Sequence, residues 1–464
     1  MRDLSTIVKA YDIRGLVPDE LDDTVARGVG AAFVRVTGAT TLVTARDMRT
    51  SSEPLAAAFA DGATGQGADV IDAGLASTDM LYYASGRLDA PGAMFTASHN
   101  PATYNGIKLC RAGAKPVGQD SGLAEIRTLV ERGVPEGGSA GNSPRGSVRR
   151  QDLLRGYAEH LRSLVDLSGI RRLKVAVDAG NGMAGHTVPA VFSGLPLDVV
   201  PLYFELDGTF PHHEANPIKP ENLRDLQAAV CREGADVGLA FDGDADRCFV
   251  VDERGEAVSP SVLTSLIATR ELAREPGATI IHNLITSRAV SEIVREHGGE
   301  PLRTRVGHSF IKATMAETGA IFGGEHSGHF YFRDFWFADS GMLAALHTLA
   351  ALGEQDRPLS ALLAAYSRYV ASGEINSEVD DQGGVTARVR AAFAERPGVT
   401  VDELDGLTVA AEDWWFNLRP SNTEPVLRLN VEASDGRTET TVRDEVLSLV
   451  RGEGNTPSGE CVRG

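Results

Sequence analysis

"DVGLAFDGDADRCFVVDE", residues 236–253, places an apolar run, an acidic turn and a second apolar run in direct succession. The first run is short and bounded by turn residues, the composition of a buried strand. Asp242, Asp244 and Asp246 alternate immediately after it. Three carboxylates so close repel one another unless a cation sits among them, and hard oxygen ligands suit Mg²⁺ or Ca²⁺. An EF-hand is the sharpest rival, since Asp242, Asp244, Asp246 and Glu253 take its first, third, fifth and twelfth places. Its sixth place requires glycine and here holds Arg247, and the flanks read as strands rather than helices. A solvated acidic turn is the plainest alternative.

The same strand signature recurs outward in "TTLVTA" (40–45), "LKVAVDA" (173–179) and "ATIIHNL" (278–284). Each is followed by turn residues and a helical pattern such as "ENLRDLQAAVCREG", which predicts α/β units. The Gly/Ser/Pro-rich stretch 134–150 reads as a linker or long loop. A second break is expected at "ASGEINSEVDD" (371–381), after a helix ending around Tyr369. Beyond it lies a smaller unit with the strand pattern "VLRLNVEA" (426–433), then a Gly/Pro/Ser-rich tail expected to be disordered. The larger segments share a βα rhythm without an alignable repeat.

With 464 residues the chain is too long for one core. Lys plus Arg number 45 against 64 Asp plus Glu, a net charge of −19 that argues against nucleic acid or anionic membrane as partner. An anionic small substrate is compatible if basic residues gather in one cleft. Cys110, Cys231, Cys248 and Cys461 lack metal-type spacing and read as free thiols of a reducing cytoplasm. No apolar run is long enough to span a bilayer, and the start lacks a signal-peptide core, so a cytoplasmic location is expected.

Four further stretches could carry chemistry. "FTASHNP" (95–101) sets Ser98 beside a histidine, but sequence neighbours point apart, so a hydrolase pair is not implied. "AVDAGNGMAG" (176–185) matches GxGxxG through Gly180, Gly182 and Gly185, with Glu205 near the place of a ribose-binding acid. Pro189 lies where a phosphate-facing helix should continue, which favours a tight strand-to-helix turn over a dinucleotide site. "GGEHSGH" (323–329) offers Glu325, Ser327 and His329 on a Gly-flanked loop able to bond sugar hydroxyls, and "VGHSFIK" adds His308 and Lys312. "RPSNTEP" (419–425) gathers Arg419, Ser421, Asn422 and Thr423 on a turn suited to phosphate oxygens, although such turns also cap helices.

Taken together, "YDIRG" (11–15), "TASHNP" (96–101), "YNGIK" (104–108), "DGDADR" (242–247), "GEHSGH" (324–329) and "RPSNTEP" (419–425) resemble the motifs of the α-D-phosphohexomutase superfamily, in its bacterial phosphomannomutase/phosphoglucomutase branch. The resemblance implies an α/β fold of four domains around a central cleft, three of them related and the last a smaller α+β, TBP-like unit. Their expected limits are 1–148, 149–253, 254–368 and 369–453, with a disordered tail at 454–464. It implies reversible phosphoryl transfer between C1 and C6 of a hexose phosphate, through a phosphoserine at Ser98 and a hexose 1,6-bisphosphate. Asp242, Asp244 and Asp246 match Mg²⁺ ligands, joined by a Ser98 phosphate oxygen. Arg247 adjoins that loop, Glu325 and Ser327 match positions that hold the sugar's 3- and 4-hydroxyls, and the Arg419 loop matches the phosphate site.

Arg14 and Lys108 could add positive charge and proton transfer near the phosphoserine, and His308 and His329 are candidates for proton work at the sugar. One departure stands out. Many relatives carry a basic residue where this chain has Ile285, so either Arg288 reaches the ligand or that contact is absent. An amino-sugar phosphate mutase and an inactive sugar-phosphate-binding relative are the alternatives.

Overall fold

The computed structural model describes residues 3–134, 144–421 and 426–452. Their strands form four sheets, one of seven strands and three of five. In the first, Gly92–Phe95, Thr41–Arg46 and Asp69–Leu75 run parallel, and Tyr104–Arg111 and Ile13–Leu16 continue antiparallel beyond Gly92–Phe95. In the second, Val237–Phe241, Leu173–Asp178 and Leu197–Leu202 are parallel, with Cys248–Asp252 antiparallel at one side. The third repeats the plan with Glu300–Thr304, Thr279–Asn283 and Phe322–Gly324 parallel and Phe330–Phe332 antiparallel.

The repeat that the sequence hid is therefore topological. In each of these three units a parallel strand is joined by a short connection to an antiparallel neighbour, and that connection carries a polar motif. The fourth sheet is antiparallel throughout, and its motif again joins two neighbours, Trp414–Pro420 and Val426–Ala433. The architecture is thus three related α/β units and a smaller C-terminal α+β unit.

The apolar runs form strands at almost the expected limits, because a buried strand needs apolar residues on both faces. The polar segments read as breaks do not behave as expected. Val148–Arg150, inside the expected linker, pairs parallel with Asp69–Leu75 and carries the first sheet past the expected limit at 148. It is exposed at every residue, so backbone pairing holds it with no apolar pattern to announce it. Ala257–Val258 likewise extends the second sheet past 253. Val370–Glu378 is a mostly exposed strand of the fourth sheet, and the helix before it, Leu359–Leu363, ends well short of Tyr369. The expected tail lies outside the described residues.

One apolar cluster runs through the first three units and includes Ile71, Tyr157, Leu173, Phe241, Phe330 and Met342. The helix Gly341–Gly353 is buried at every residue and, His347 and Thr348 apart, carries only apolar residues and glycine into this cluster. A β-carbon on Gly341 would sit 2.7 Å from the Arg247 carbonyl carbon, so glycine lets this helix start directly against the acidic turn. Among the described residues no helix is long and apolar enough to cross a membrane.

Candidate active site

Ser98 follows the strand Gly92–Phe95 and adopts φ 51°, a left-handed backbone unusual for a residue with a β-carbon. That turn brings its hydroxyl to the second unit, where it donates to Asp242 Oδ2 at 2.7 Å. Asp242, Asp244 and Asp246 occupy the turn after Val237–Phe241, all buried, with one oxygen of each within 4.8 Å of the others. The flanking elements are antiparallel strands, and Glu253 accepts from Ser360, so the EF-hand alternative is excluded. The carboxylates are neutralised by fixed cations. Lys108 donates to Asp244 at 2.6 Å and to Asp246 at 2.7 Å, and Arg247 donates to Asp242 at 2.9 Å.

Even so, Asp244 Oδ1 and Asp246 Oδ1 are buried without a hydrogen-bond partner. Two orphaned anionic oxygens beside a third carboxylate are what a divalent cation would satisfy, so the residues fit Mg²⁺. Burial, reinforced by the neighbouring acids, raises the Asp242 carboxyl above its usual range despite Arg247. Burial opposes ionisation of Asp244 as well, but Lys108 and a hydrogen bond from Thr78 hold that carboxyl below the usual range. Burial would lower the Lys108 ammonium, and Asp244 with Asp246 instead keeps it protonated.

A cavity of about 120 Å³ opens on this cluster, lined by Arg14, Ser98, Lys108, Asp246, Arg247 and His329 among others. Arg14 is anchored by donating to Asp12 at 2.6 Å and to Asn100 at 2.5 Å. His99 Nδ1 accepts from Arg247 at 2.5 Å and lies 3.1 Å from the Ser98 hydroxyl. Burial first, then Arg247 and Arg14, hold its imidazole well below the ordinary histidine range. The third unit contributes His329, whose Nε2 is 3.7 Å from Asp246 and whose Nδ1 is 2.9 Å from the Ser327 hydroxyl. Glu325 is buried and accepts from Tyr331 at 2.8 Å, with longer contacts from Ser327 and Asn283 at 3.3 Å.

The structure thus gathers Arg14, Ser98, Lys108, Asp242, Asp244, Asp246, Arg247, Glu325, Ser327 and His329 from three units. His308 opens the helix His308–Thr318 behind Gly307. Arg419 is the last residue but one of the strand Trp414–Pro420 in the fourth unit, is buried, and donates to Glu374 at 3.1 Å. Ser421 bonds through its backbone N–H to Val426 at 2.9 Å, and Asn422 and Thr423 lie outside the described residues. Arg288 does not reach the cavity. It donates to the carbonyls of Ala411, Glu412 and Trp414 and lies over Tyr369, bracing the third unit against the fourth, while Ile285 is buried.

The GxGxxG turn is filled by the protein itself. β-Carbons on Gly182 and Gly185 would lie 2.7 Å from the Gly243 oxygen and 2.2 Å from the Phe204 oxygen. The helix Ala184–Phe192 does continue through Pro189, so the glycine packing, not the proline, argues against a dinucleotide.

Sequence reading passed over Thr78, Asp79 and Arg49. Thr78 donates its backbone N–H to the Asp244 carbonyl at 2.9 Å and its hydroxyl to the Asp244 carboxylate at 2.6 Å. Asp79, fully buried, accepts hydroxyls from Ser77, Tyr157 and Ser340, one from each of the first three units. The only available signal was position: polar residues just past the carboxyl ends of parallel strands, where α/β sheets bind ligands.

Comparison with known proteins agrees with this geometry. Sequence profiles described as phosphoglucomutase/phosphomannomutase alpha/beta/alpha domains I, II and III match residues 5–135, 155–255 and 260–369, and the C-terminal domain profile matches 374–449. A phosphomannomutase of Salmonella montevideo is 40% identical over 435 residues, covering 92% of this chain and 95% of that protein. A protein of Xanthomonas campestris named for phosphohexose mutases is 41% identical over 447 residues, 96% and 99% of the two chains. A crystal structure of a phosphoglucomutase/phosphomannomutase family protein from Burkholderia thailandensis superposes with a TM-score of 0.87 at 34% identity, covering 97% and 99%.

Proposed function

The chain belongs to the phosphoglucomutase/phosphomannomutase family and is a phosphomutase of the isomerase class, and from that premise we propose that it interconverts hexose 1- and 6-phosphates through a phosphoserine at Ser98. One observation carries the reading: the Ser98 hydroxyl meets Asp242 at 2.7 Å in the wall of a cavity that Arg14, Lys108, Arg247 and His329 also line.

Phosphoryl transfer asks chiefly for positioning and for charge on the transferring oxygens to be met. A sugar hydroxyl attacks the phosphorus of phospho-Ser98, the P–Oγ bond breaks, and a proton passes from that hydroxyl toward the seryl oxygen. The product is a hexose 1,6-bisphosphate. After it turns over in the cleft, its other phosphate returns to Ser98. Asp242, Asp244, Asp246 and a Ser98 phosphate oxygen would hold Mg²⁺, which supplies positive charge for the transferring group.

Arg14 and Lys108 meet charge on the phosphate, and His329 or His308 moves the proton at the sugar. Glu325 and Ser327 take the 3- and 4-hydroxyls in place of their long internal bonds. Arg419, with Ser421, Asn422 and Thr423, holds the phosphate that is not reacting.

Contacts at C3 and C4 leave C2 unread, so mannose and glucose 1-phosphates should both be used. The galactose epimer should lose about 10⁴-fold in kcat/KM, the penalty of a site built to bond a hydroxyl. The test pairs intact mass with a coupled assay. Glucose 1,6-bisphosphate should add one phosphoryl group to wild type and none to Ser98→Ala, which should bind hexose phosphate without turnover. Turnover by Ser98→Ala at the wild-type rate would remove the nucleophile assignment, and galactose 1-phosphate matching glucose 1-phosphate would remove the C3/C4 contacts. Glucosamine 1-phosphate leading the panel would move the chain to the amino-sugar branch.

A further inference from the structure

Arg49 follows the strand Thr41–Arg46 of the first sheet, is 3% exposed, and does not line the cavity. Both terminal nitrogens of its guanidinium are nevertheless bound to the segment that carries Ser98. Nη2 donates to the Ser98 carbonyl at 2.8 Å and the Asn100 carbonyl at 2.7 Å. Nη1 donates to the Pro101 carbonyl at 2.8 Å and the Tyr104 carbonyl at 2.9 Å. Nε donates to Asp47 at 3.2 Å, which also balances the charge. A guanidinium has five N–H donors in a rigid fork, and these contacts use all of them.

The strain at Ser98 explains why such a clamp matters. A left-handed backbone is strained for a non-glycine residue and persists only where its surroundings hold it. Besides Arg49 on its carbonyl, Ser98 is held by its own N–H, which donates to Thr96 Oγ1 at 2.9 Å. The same carbonyl is the surface on which the acidic turn rests, since a β-carbon on Gly243 would lie 2.4 Å from it. The second unit also closes over Arg49 from outside: the Phe210 ring lies 5.0 Å from the guanidinium, and a β-carbon on Gly208 would meet Arg49 Cα at 2.6 Å. Arg49 therefore sits where the path of the Ser98 loop and its spacing to the carboxylate turn are set together.

We infer that Arg49 is the positioning residue of the phosphoryl-carrying serine, holding four carbonyls of residues 98–104 so that the Ser98 oxygen faces Asp242; the inference rests on the mutase reading above. It does not line the cavity and makes no hydrogen bond to Asp242, Asp244 or Asp246, so it reaches the Ser98 oxygen through the loop it holds. Lysine at this position would keep the charge but present one ammonium where four carbonyls converge.

The experiment uses the full chain with Arg49→Lys and Arg49→Ala. In both, kcat should fall roughly 10²-fold or more, the cost of displacing a reacting group by about 1 Å. KM for the hexose phosphate, and the Mg²⁺ affinity of the dephosphorylated chain by calorimetry, should stay within about threefold, because Arg49 makes no hydrogen bond to Asp242, Asp244, Asp246 or the sugar-binding loop. Millimolar guanidinium should restore part of kcat to Arg49→Ala and none to wild type. A folded Arg49→Lys with kcat within about threefold of wild type would overturn the inference. So would a joint loss of kcat, KM and Mg²⁺ affinity without rescue, or failure of both variants to fold, since either makes Arg49 a general structural residue. Wild type that takes up no phosphate at Ser98 would sink the mutase mechanism itself, a result visible before any Arg49 variant is measured.

Discussion

One apolar cluster runs through the first three sheets, each of which also packs a further cluster of its own, whereas the fourth packs its helices only on a separate cluster around Phe393, Phe416 and Val446. The polar groups follow the same division. In the shared block the charges of the site are bound by fixed partners from different units: Lys108 holds Asp244 and Asp246, Thr78 holds Asp244, and Ser98 meets Asp242. In the fourth unit Arg419 rests on one acid, Glu374, which it shares with Arg428, and its Nε is buried without a hydrogen-bond partner. Fixed charge suits the place where a phosphoryl group must be transferred without rearrangement. A cation resting on one acid would suit the proposed role of Arg419, which is to take up two different phosphates in turn.

The largest effect should come from breaking the fixed side. Asp244→Ala removes a proposed metal ligand and leaves Lys108 and Thr78 reaching into a gap. Turnover should fall about 10²–10³-fold, the scale of removing one preorganised electrostatic group. Chelation should abolish activity in wild type, and Mg²⁺ should restore it. Full activity in excess chelator after dialysis would end the metal assignment.

Asp79 tests how far the shared block behaves as one body. Burial, despite hydroxyls donated by Ser340, Ser77 and Tyr157, pushes its carboxyl up to about 6 from the ordinary value of 3.8. A carboxyl raised in the folded state keeps a proton that the unfolded chain has already lost. Its contribution to stability therefore declines as pH rises from 3.8 and levels off above about 6. The decline amounts to about 3 kcal/mol at 1.36 kcal/mol per unit. Asp79→Asn has no such proton, so the stability of wild type relative to the variant should fall between pH 4 and pH 7. A difference that is flat or rising across that window would show the carboxyl ionised throughout.

The same contrast governs what the sequence discloses. The acidic turn and the two runs beside it were legible because buried strands write their burial into composition, and three alternating carboxylates demand an explanation in place. Val370–Glu378 was not legible, because an exposed strand alternates weakly and reads as a break. Arg49, Thr78 and Asp79 were invisible for another reason. The partners that give them their place at the site lie 49 to 261 residues away, and no local pattern records a contact that only the assembled units create. Position at the carboxyl ends of parallel strands is the one hint such residues leave.

On the exchangeable side, Arg419→Ala should weaken use of both the 1-phosphate and the 6-phosphate by similar factors. The loss should be roughly 2 kcal/mol, or about 30-fold in kcat/KM, the lower range for truncating one member of a hydrogen-bonded charge pair. A loss confined to one direction of the reaction would mean that the two phosphates use separate sites.

The smallest effect, and the sharpest test of the contrast, comes from Glu374→Gln. Glu374 accepts from Arg419 at 3.1 Å and lies 3.4 Å from Arg428, so it would compete with the proposed incoming phosphate for both guanidinium groups. Glutamine keeps an oxygen for the hydrogen bond to Arg419 while removing the charge. If the acid only holds the cation until substrate arrives, the variant should bind hexose phosphate a few-fold more tightly, with KM reduced and kcat nearly unchanged. Partly exposed ion pairs contribute about 1 kcal/mol or less, which bounds the gain at roughly fivefold. If Glu374 instead aims Arg419, KM should rise and the variant should resemble Arg419→Ala. The sign of the change in KM, read at low salt where the pair is least screened, decides whether the fourth unit carries an exchangeable charge or a fixed one like the rest of the site.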